Sequence, residues 1–176
     1  MCTMLKICGL ICIFAACYLT GLELDRSLKR RWLFFREMKD TLLSLEQEMT
    51  WYRTPLPETL KRAASVCKTP LRPMLLCCAG QMEARGGQSF EEIWKISARN
   101  HLPGELMRSD AEYQALLEVA GALSCADVVM QKTYLQQYQQ RFDGLSDMAY
   151  QEWQERGALY RRLAAAFGAA AVIILL

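Results

Sequence analysis

One histidine, eight cysteines and two close pairs of glutamates are the residues with which this chain could do chemistry. His101 stands in a Pro/Gly-containing stretch, residues 100–104, with no acid or nucleophile beside it, and a lone imidazole makes neither a triad nor a metal site. It reads as a surface histidine. Glu46 and Glu48 are two apart and Glu91 and Glu92 adjacent. Helical neighbours are three or four apart, so neither pair shares a face for acid–base work. The cysteines divide in two. Cys2, Cys8, Cys12 and Cys17 fall in an apolar run, where cysteine behaves as a small hydrophobe. Cys67, Cys77, Cys78 and Cys125 lie in the middle, without a C-x-x-C pair or any zinc spacing, and read as reduced, partly buried thiols. Gly86-Gly87 lacks the Lys-Ser/Thr of a phosphate loop. Trp32, Trp51, Trp94 and Trp153 fit a core or a membrane interface better than a binding stack. The expectation is a protein that is not an enzyme, with no catalytic residue, metal or cofactor.

The elements that would position such residues follow from where the charges fall. The chain has 176 residues, 52% of them hydrophobic, a fraction near the globular norm. Residues 7–22 and 163–176 carry no charge at all. Lys6 is the one base outside the middle, which therefore holds 20 of the 21 bases against all 19 acids. A nearly neutral, well-mixed middle argues against a nucleic-acid surface. Recurrent apolar residues argue against disorder.

Residues 7–22 make about 24 Å of helix at 1.5 Å per residue, and Lys6 can snorkel to lengthen the span toward the ~30 Å bilayer core. Residues 163–176 make only about 21 Å, so they either cross with bilayer thinning or lie at the interface or in a core. Arg26, Lys29, Arg30, Arg31 and Arg36 follow the first segment, and Arg156, Arg161 and Arg162 precede the last. The positive-inside rule then places the middle in the cytoplasm and both termini outside. The domains expected are a transmembrane helix over 1–24, a cytoplasmic helical domain over 25–162 and a membrane segment over 163–176. A competing reading takes Phe14-Ala15-Ala16-Cys17 as a lipoprotein cleavage box, with Cys17 lipidated and the middle exported. The Arg-rich flank opposes it.

The fold class expected is all-α, because no alternating pattern of useful length occurs. Leu28, Phe35, Leu42 and Met49 repeat every seven residues, with Arg31, Met38, Leu45 and Tyr52 as a companion row three on. This stripe extends the first helix to about residues 51–54, where Pro55 disfavours helical geometry at Thr54. Pro57 suits a first turn, predicting a helix over 58–67. Pro70 and Pro73 break and restart the chain into a helix to about Arg85, closed by Gly86-Gly87. Ser89-Phe-Glu-Glu92 is a capping box opening a helix to about Arg99, and Ser109-Asp-Ala-Glu112 opens another to about Leu123. A last helix begins near Asp127, with Val128, Leu135, Tyr138, Phe142, Leu145 and Ala149 on one face and Gly144 and Gly157 as weak points. The architecture is two long antiparallel helices continuous with the terminal membrane segments, with three or four short helices capping their far end.

Certain stretches resemble the stage III sporulation protein AB family. They are Thr20-Gly-Leu-Glu23, Ser44-Leu-Glu-Gln-Glu-Met49 and Tyr52-Arg-Thr-Pro-Leu-Pro57. The helix start at 90–94, Leu117-Glu-Val-Ala-Gly-Ala-Leu123 with Asp127, and Tyr160-Arg-Arg-Leu163 before a short apolar tail are also similar. The sequence departs from the pattern at Ala120, where the family tends to have an aromatic, and at Ser124, where it tends to have glycine. The resemblance implies a non-enzymatic component of the channel-like complex joining mother cell and forespore, in the outer forespore membrane with its soluble domain cytoplasmic. By likeness in role to platform proteins of type II secretion, it implies other stage III sporulation membrane proteins and a cytoplasmic ATPase as partners. The expected partner contact is Tyr52, Thr54, Pro55, Leu56 and Pro57 with Lys61 and Arg62. The alternative is a generic membrane-tethered coiled-coil adaptor or exported lipoprotein of another pathway.

Overall fold

The computed structural model describes residues 2–68, 70–84 and 87–175, with side chains described from Ala15 onward apart from residues 17, 161, 168, 169 and 171–175. Among the described residues six α-helices run α1 Cys2–Trp51, α2 Leu56–Val66, α3 Leu71–Glu83, α4 Phe90–His101, α5 Asp110–Leu123 and α6 Val128–Leu175, with a 3₁₀ turn at Gly104–Leu106. No strand occurs among the described residues. They form two compact units. One joins Met1–Trp32 to Asp147–Leu176; the other is Leu33–Ser146.

In the first unit the two helical segments are antiparallel, since Trp32 meets Tyr150 and Trp153 while Asp25 meets Trp153. The indoles of Trp32 and Trp153 stack with centroids 5.4 Å apart, and Trp153 Nε1 donates to Asp25 Oδ1 at 3.0 Å. Lys29 Nζ lies 5.6 Å from the Trp153 ring centroid, a cation–π contact. Arg31, the charged exception in the companion row, is 9% exposed and donates to Glu152 at 2.8 Å.

Gly157, expected as a weak point, is instead a close approach. A Cβ there would sit 2.3 Å from Asp25 Oδ1 and 3.1 Å from Trp153, whereas one at Gly144 meets nothing within 4 Å. Neither glycine interrupts α6. Gly144→Ala should therefore raise stability by about 1 kcal/mol through helix propensity alone. Gly157→Ala should gain nothing, because displacing Asp25 forfeits a hydrogen bond worth about 1 kcal/mol. Paired thermal melts of the two variants check this.

In the second unit the expected stripe on α1 is core as far as Leu45. Phe35, Met38, Leu42 and Leu45 are fully buried, and Phe35 meets Phe142 at 6.3 Å. Each such side chain contributes about 1.5–3 kcal/mol on burial. The stripe then runs out: Met49 is half-buried and Tyr52 exposed. Phe34 and Thr41, off the two rows, are buried as well. Thr41 Oγ1 lies 3.1 Å from Cys67 Sγ and Glu37 accepts from the Lys68 backbone N–H, so α1 is covered by the α2 end of the chain as well as by α6. On α6 Leu135 and Phe142 are buried as expected, as is Ala149 in the first unit; Tyr138 and Leu145 are half-buried, and Val128 is exposed because it opens the helix and projects from its first turn.

The short helices number four, packed α2 on α3, α3 on α4 and α4 on α5. α2 starts at Leu56 rather than residue 58, with Pro57 inside its first turn. Pro73 also sits in a first turn and does not break α3, because the N–H a proline lacks has no partner there. α3 ends at Glu83; Arg85 and Gly86 lie outside the described residues, and Gly87 takes φ 73°. The Ser89–Glu92 capping box is complete, and α4 continues two residues past Arg99 to His101. Ser109 caps α5, but Glu112 reaches back to the Arg108 N–H at 2.8 Å rather than to Ser109. Asp127 caps α6 through the N–H groups of Val129 and Met130.

Among the described residues no helix is long and apolar enough to cross a membrane. The side chains of residues 1–14 and 171–176, on which much of the expected spans rests, lie outside the description, as does that of Arg161.

Candidate functional site

The α1–α2 turn is built by its prolines and closed by its polar groups. Arg53 takes φ 49°, the left-handed conformation that ends helices, and the Thr54 N–H returns to the Glu48 carbonyl at 3.4 Å. Pro55 is extended, at φ −56° and ψ 142°, and precedes the first residue of α2. Thr59, fully buried, donates to the Thr54 and Pro55 carbonyls at 3.2 and 3.1 Å. Thr54 Oγ1 donates to Glu48 at 3.2 Å. The turn is therefore held in one shape.

The expected contact residues divide on this frame. Tyr52 is 72% exposed and Pro55 is exposed beside it, while Thr54, Leu56 and Pro57 are half-buried. Lys61 is salt-bridged to Glu83 at 2.6 Å. Arg62 bonds Glu48 at 3.1 Å and Glu58 at 2.8 Å. The Glu58 hydrogen bond, then the charge of Glu48, push its guanidinium further up in pKa. Lys61 and Arg62 thus link α1, α2 and α3 while both remain exposed. Trp51, expected in a core or at a membrane interface, is instead 77% exposed beside Tyr52. It lies off both heptad rows at the very end of α1.

The residues with chemical potential go elsewhere. His101 is not in a loop: it ends α4, half-buried, with Nδ1 3.0 Å from the Ser97 carbonyl. Glu46 is 8% exposed and accepts from Gln136 and Gln139 at 3.0 and 2.7 Å. Glu91 accepts from the Ser124 hydroxyl at 3.3 Å. Among the described residues no group of three His, Cys, Asp or Glu side chains is placed to hold a metal ion. Cys67 and Cys78 are buried; Cys77 and Cys125 are half-buried.

Burial pushes the Cys78 thiol up to about 11 from an ordinary value near 9, and raises Cys67 more weakly against the Thr41 contact. A thiol raised on folding stabilises the native state below the unfolded pKa and loses that contribution as pH rises through the folded one. Stability should therefore fall between pH 9 and 11, and a Cys78→Ala variant should show a shallower fall in denaturation midpoint. At pH 8 a thiol reagent should modify Cys77 and Cys125 at once and Cys67 and Cys78 only on unfolding.

The sequence model of the family described as stage III sporulation protein AB matches residues 6–176, nearly the whole chain. The chain belongs to the stage III sporulation protein AB family. It is 25% identical over 132 residues to stage III sporulation protein AB of Bacillus subtilis (strain 168), covering 75% of this chain and 76% of that one. A solved structure of a stage III sporulation protein AB superposes with a TM-score of 0.59 at 20% identity, over 72% of this chain and 93% of that one, a likeness of fold. Family membership accords with the Tyr52–Pro57 stretch. The departure at Ser124 is accommodated: its φ of −87° is right-handed, so no glycine is required there.

Proposed function

We propose that this protein is a non-enzymatic membrane component of the stage III sporulation complex, an assembly subunit whose α1–α2 turn engages a cytoplasmic ATPase. Family membership over residues 6–176 carries the reading. The uncharged terminal runs with arginine-rich inner flanks support attachment to the outer forespore membrane with residues 25–162 in the cytoplasm. The exposed aromatic pair Trp51 and Tyr52, on a turn held rigid by hydrogen bonds, supports a protein partner, since exposed Trp and Tyr are the usual anchors of such interfaces.

A deletion strain should complete engulfment and then stall, with heat-resistant spores lost; wild-type spore numbers would refute the sporulation role. For the partner, Trp51→Ser with Tyr52→Ser should abolish co-purification of the ATPase while leaving the thermal melt unchanged. Retained co-purification would remove the turn from the interface. Charge reversal at Lys61 or Arg62 is the poorer variant, because it opposes Glu83, Glu48 and Glu58 within the chain. Topology is read at Cys125: labelling by an impermeant thiol reagent in intact cells would mean export.

A further inference from the structure

The second unit carries a shallow, open groove of about 450 Å³ where α4, α5 and α6 meet. Leu117, Gly121 and Ala122 of α5 line it, facing Tyr134 and Tyr138 of α6. Its surface is mainly apolar, and the charged residues that line it are both acidic: Glu91 from α4 and Glu118 from α5. The space above Gly121 is open, since a Cβ there would meet nothing within 4 Å. The apolar face does not stop at the groove. Tyr134 is 38% exposed, and Met130, one turn earlier, is 49% exposed. From Met130 to Tyr138 this stripe on α6 is about 12 Å long.

The polar groups already have intramolecular contacts that leave their outer edges available. Glu118 accepts from Arg141 at 3.0 Å and from Tyr138 Oη at 3.5 Å, and both glutamates remain exposed. Burial, followed by the Glu118 charge, pushes the Tyr138 phenol up, so its ring stays neutral through the physiological range.

We infer that this groove receives an amphipathic helix of a partner protein, with an arginine or lysine of that helix lying over Tyr134 and Tyr138 and its head reaching Glu91 and Glu118. Charge complementarity selects a cation, because both charged lining residues are carboxylates and Arg141 compensates Glu118 alone, leaving Glu91 beside the Ser124 hydroxyl. Tyrosine faces attract the same cation, and a guanidinium bonds carboxylates in pairs. A small free cation would leave the apolar stripe through Met130 uncovered, whereas the apolar face of an amphipathic helix laid in the groove would bury it. An anionic lipid surface would be repelled by the acidic rim. The groove shares no residue with the Tyr52–Arg62 turn, so it stands whatever that turn binds.

The test uses the full chain in phosphatidylcholine nanodiscs and a fluorescein-labelled helical peptide with one Leu/Arg stripe, against the same peptide with Glu for Arg. The Arg peptide should bind at least tenfold more tightly. Gly121→Trp, which fills open space, and Tyr134→Ala, which removes an exposed ring, should each weaken it at least tenfold with circular dichroism unchanged. Glu91→Lys should narrow the difference between the two peptides. Equal binding of the two peptides, or undiminished binding by both Gly121→Trp and Tyr134→Ala, would overturn the inference. In sporulating cells, a benzoylphenylalanine at position 134 should crosslink to a helical peptide carrying Arg or Lys. Crosslinks confined to lipid, or to a second copy of this chain, would overturn it too.

Discussion

Trp94→Ala is expected to destabilise the second unit by about 3–5 kcal/mol, the range for removing a buried large aromatic. Trp94 is fully buried on α4, against the Phe90 ring at 5.8 Å, and Nε1 donates to the Leu116 carbonyl of α5 at 2.9 Å. It fills the space between α4 and α5 and satisfies its one polar atom while doing so. Trp94→Phe separates the two contributions. It keeps most of the apolar volume and loses the donor, for an expected loss of about 1–3 kcal/mol. Urea denaturation of the full chain in detergent, followed by far-ultraviolet circular dichroism, measures both. Equal losses for Ala and Phe would show that the hydrogen bond, not the packing, dominates.

Arg31→Ala is expected to cost about 2–3 kcal/mol in the first unit, below the ~3–5 kcal/mol of a fully buried broken pair. The discount follows from exposure. The Arg31 side chain is 11% exposed and that of Glu152 20%, and Arg156 approaches the other Glu152 oxygen at 3.4 Å. Removing Arg31 leaves a half-buried carboxylate without its 2.8 Å partner. Replacing both members, Arg31→Met with Glu152→Leu, should restore stability to within about 1 kcal/mol of the parent, because apolar groups of similar size avoid the desolvation that the ions incur. A double-mutant cycle by thermal melts checks this. A double variant as unstable as Arg31→Ala would mean that the ion pair itself holds the two segments together.

Much of the frame was legible because it depends on local geometry. A seven-residue repeat on α1 needs only helical periodicity, so Leu28 through Leu45 could be assigned to the core without knowing what covers them. Pro55 ends a helix whatever lies nearby, and the Ser89–Glu92 box closes between residues three apart. The Glu112 bond shows the limit of that reading: moving its donor by one residue, to the Arg108 N–H, is a matter of the approach of the preceding turn. The width of the buried arc on α1 was not legible. Thr41 and Phe34 are buried because α1 has neighbours on two sides, and a two-row stripe assumes one.

The candidate surface divides along the same line. That residues 52–57 make a turn follows from proline chemistry and spacing, whereas the heptad spacing put Tyr52 in the stripe and only the structure shows it exposed. That Lys61 and Arg62 are held by Glu83, Glu48 and Glu58 follows only from how α2 lies between α1 and α3. The sequence by itself therefore determined an all-helical chain, its breaks and caps, most of one core stripe and its charge-free ends, since these depend on near neighbours and on hydropathy. Tertiary structure alone decided that Arg31 meets Glu152, that Glu46 is clasped by Gln136 and Gln139, that Gly157 admits Asp25, and that α4, α5 and α6 leave an acidic, tyrosine-lined groove. Residues up to 128 positions apart in the chain meet only through the register of one helix against another.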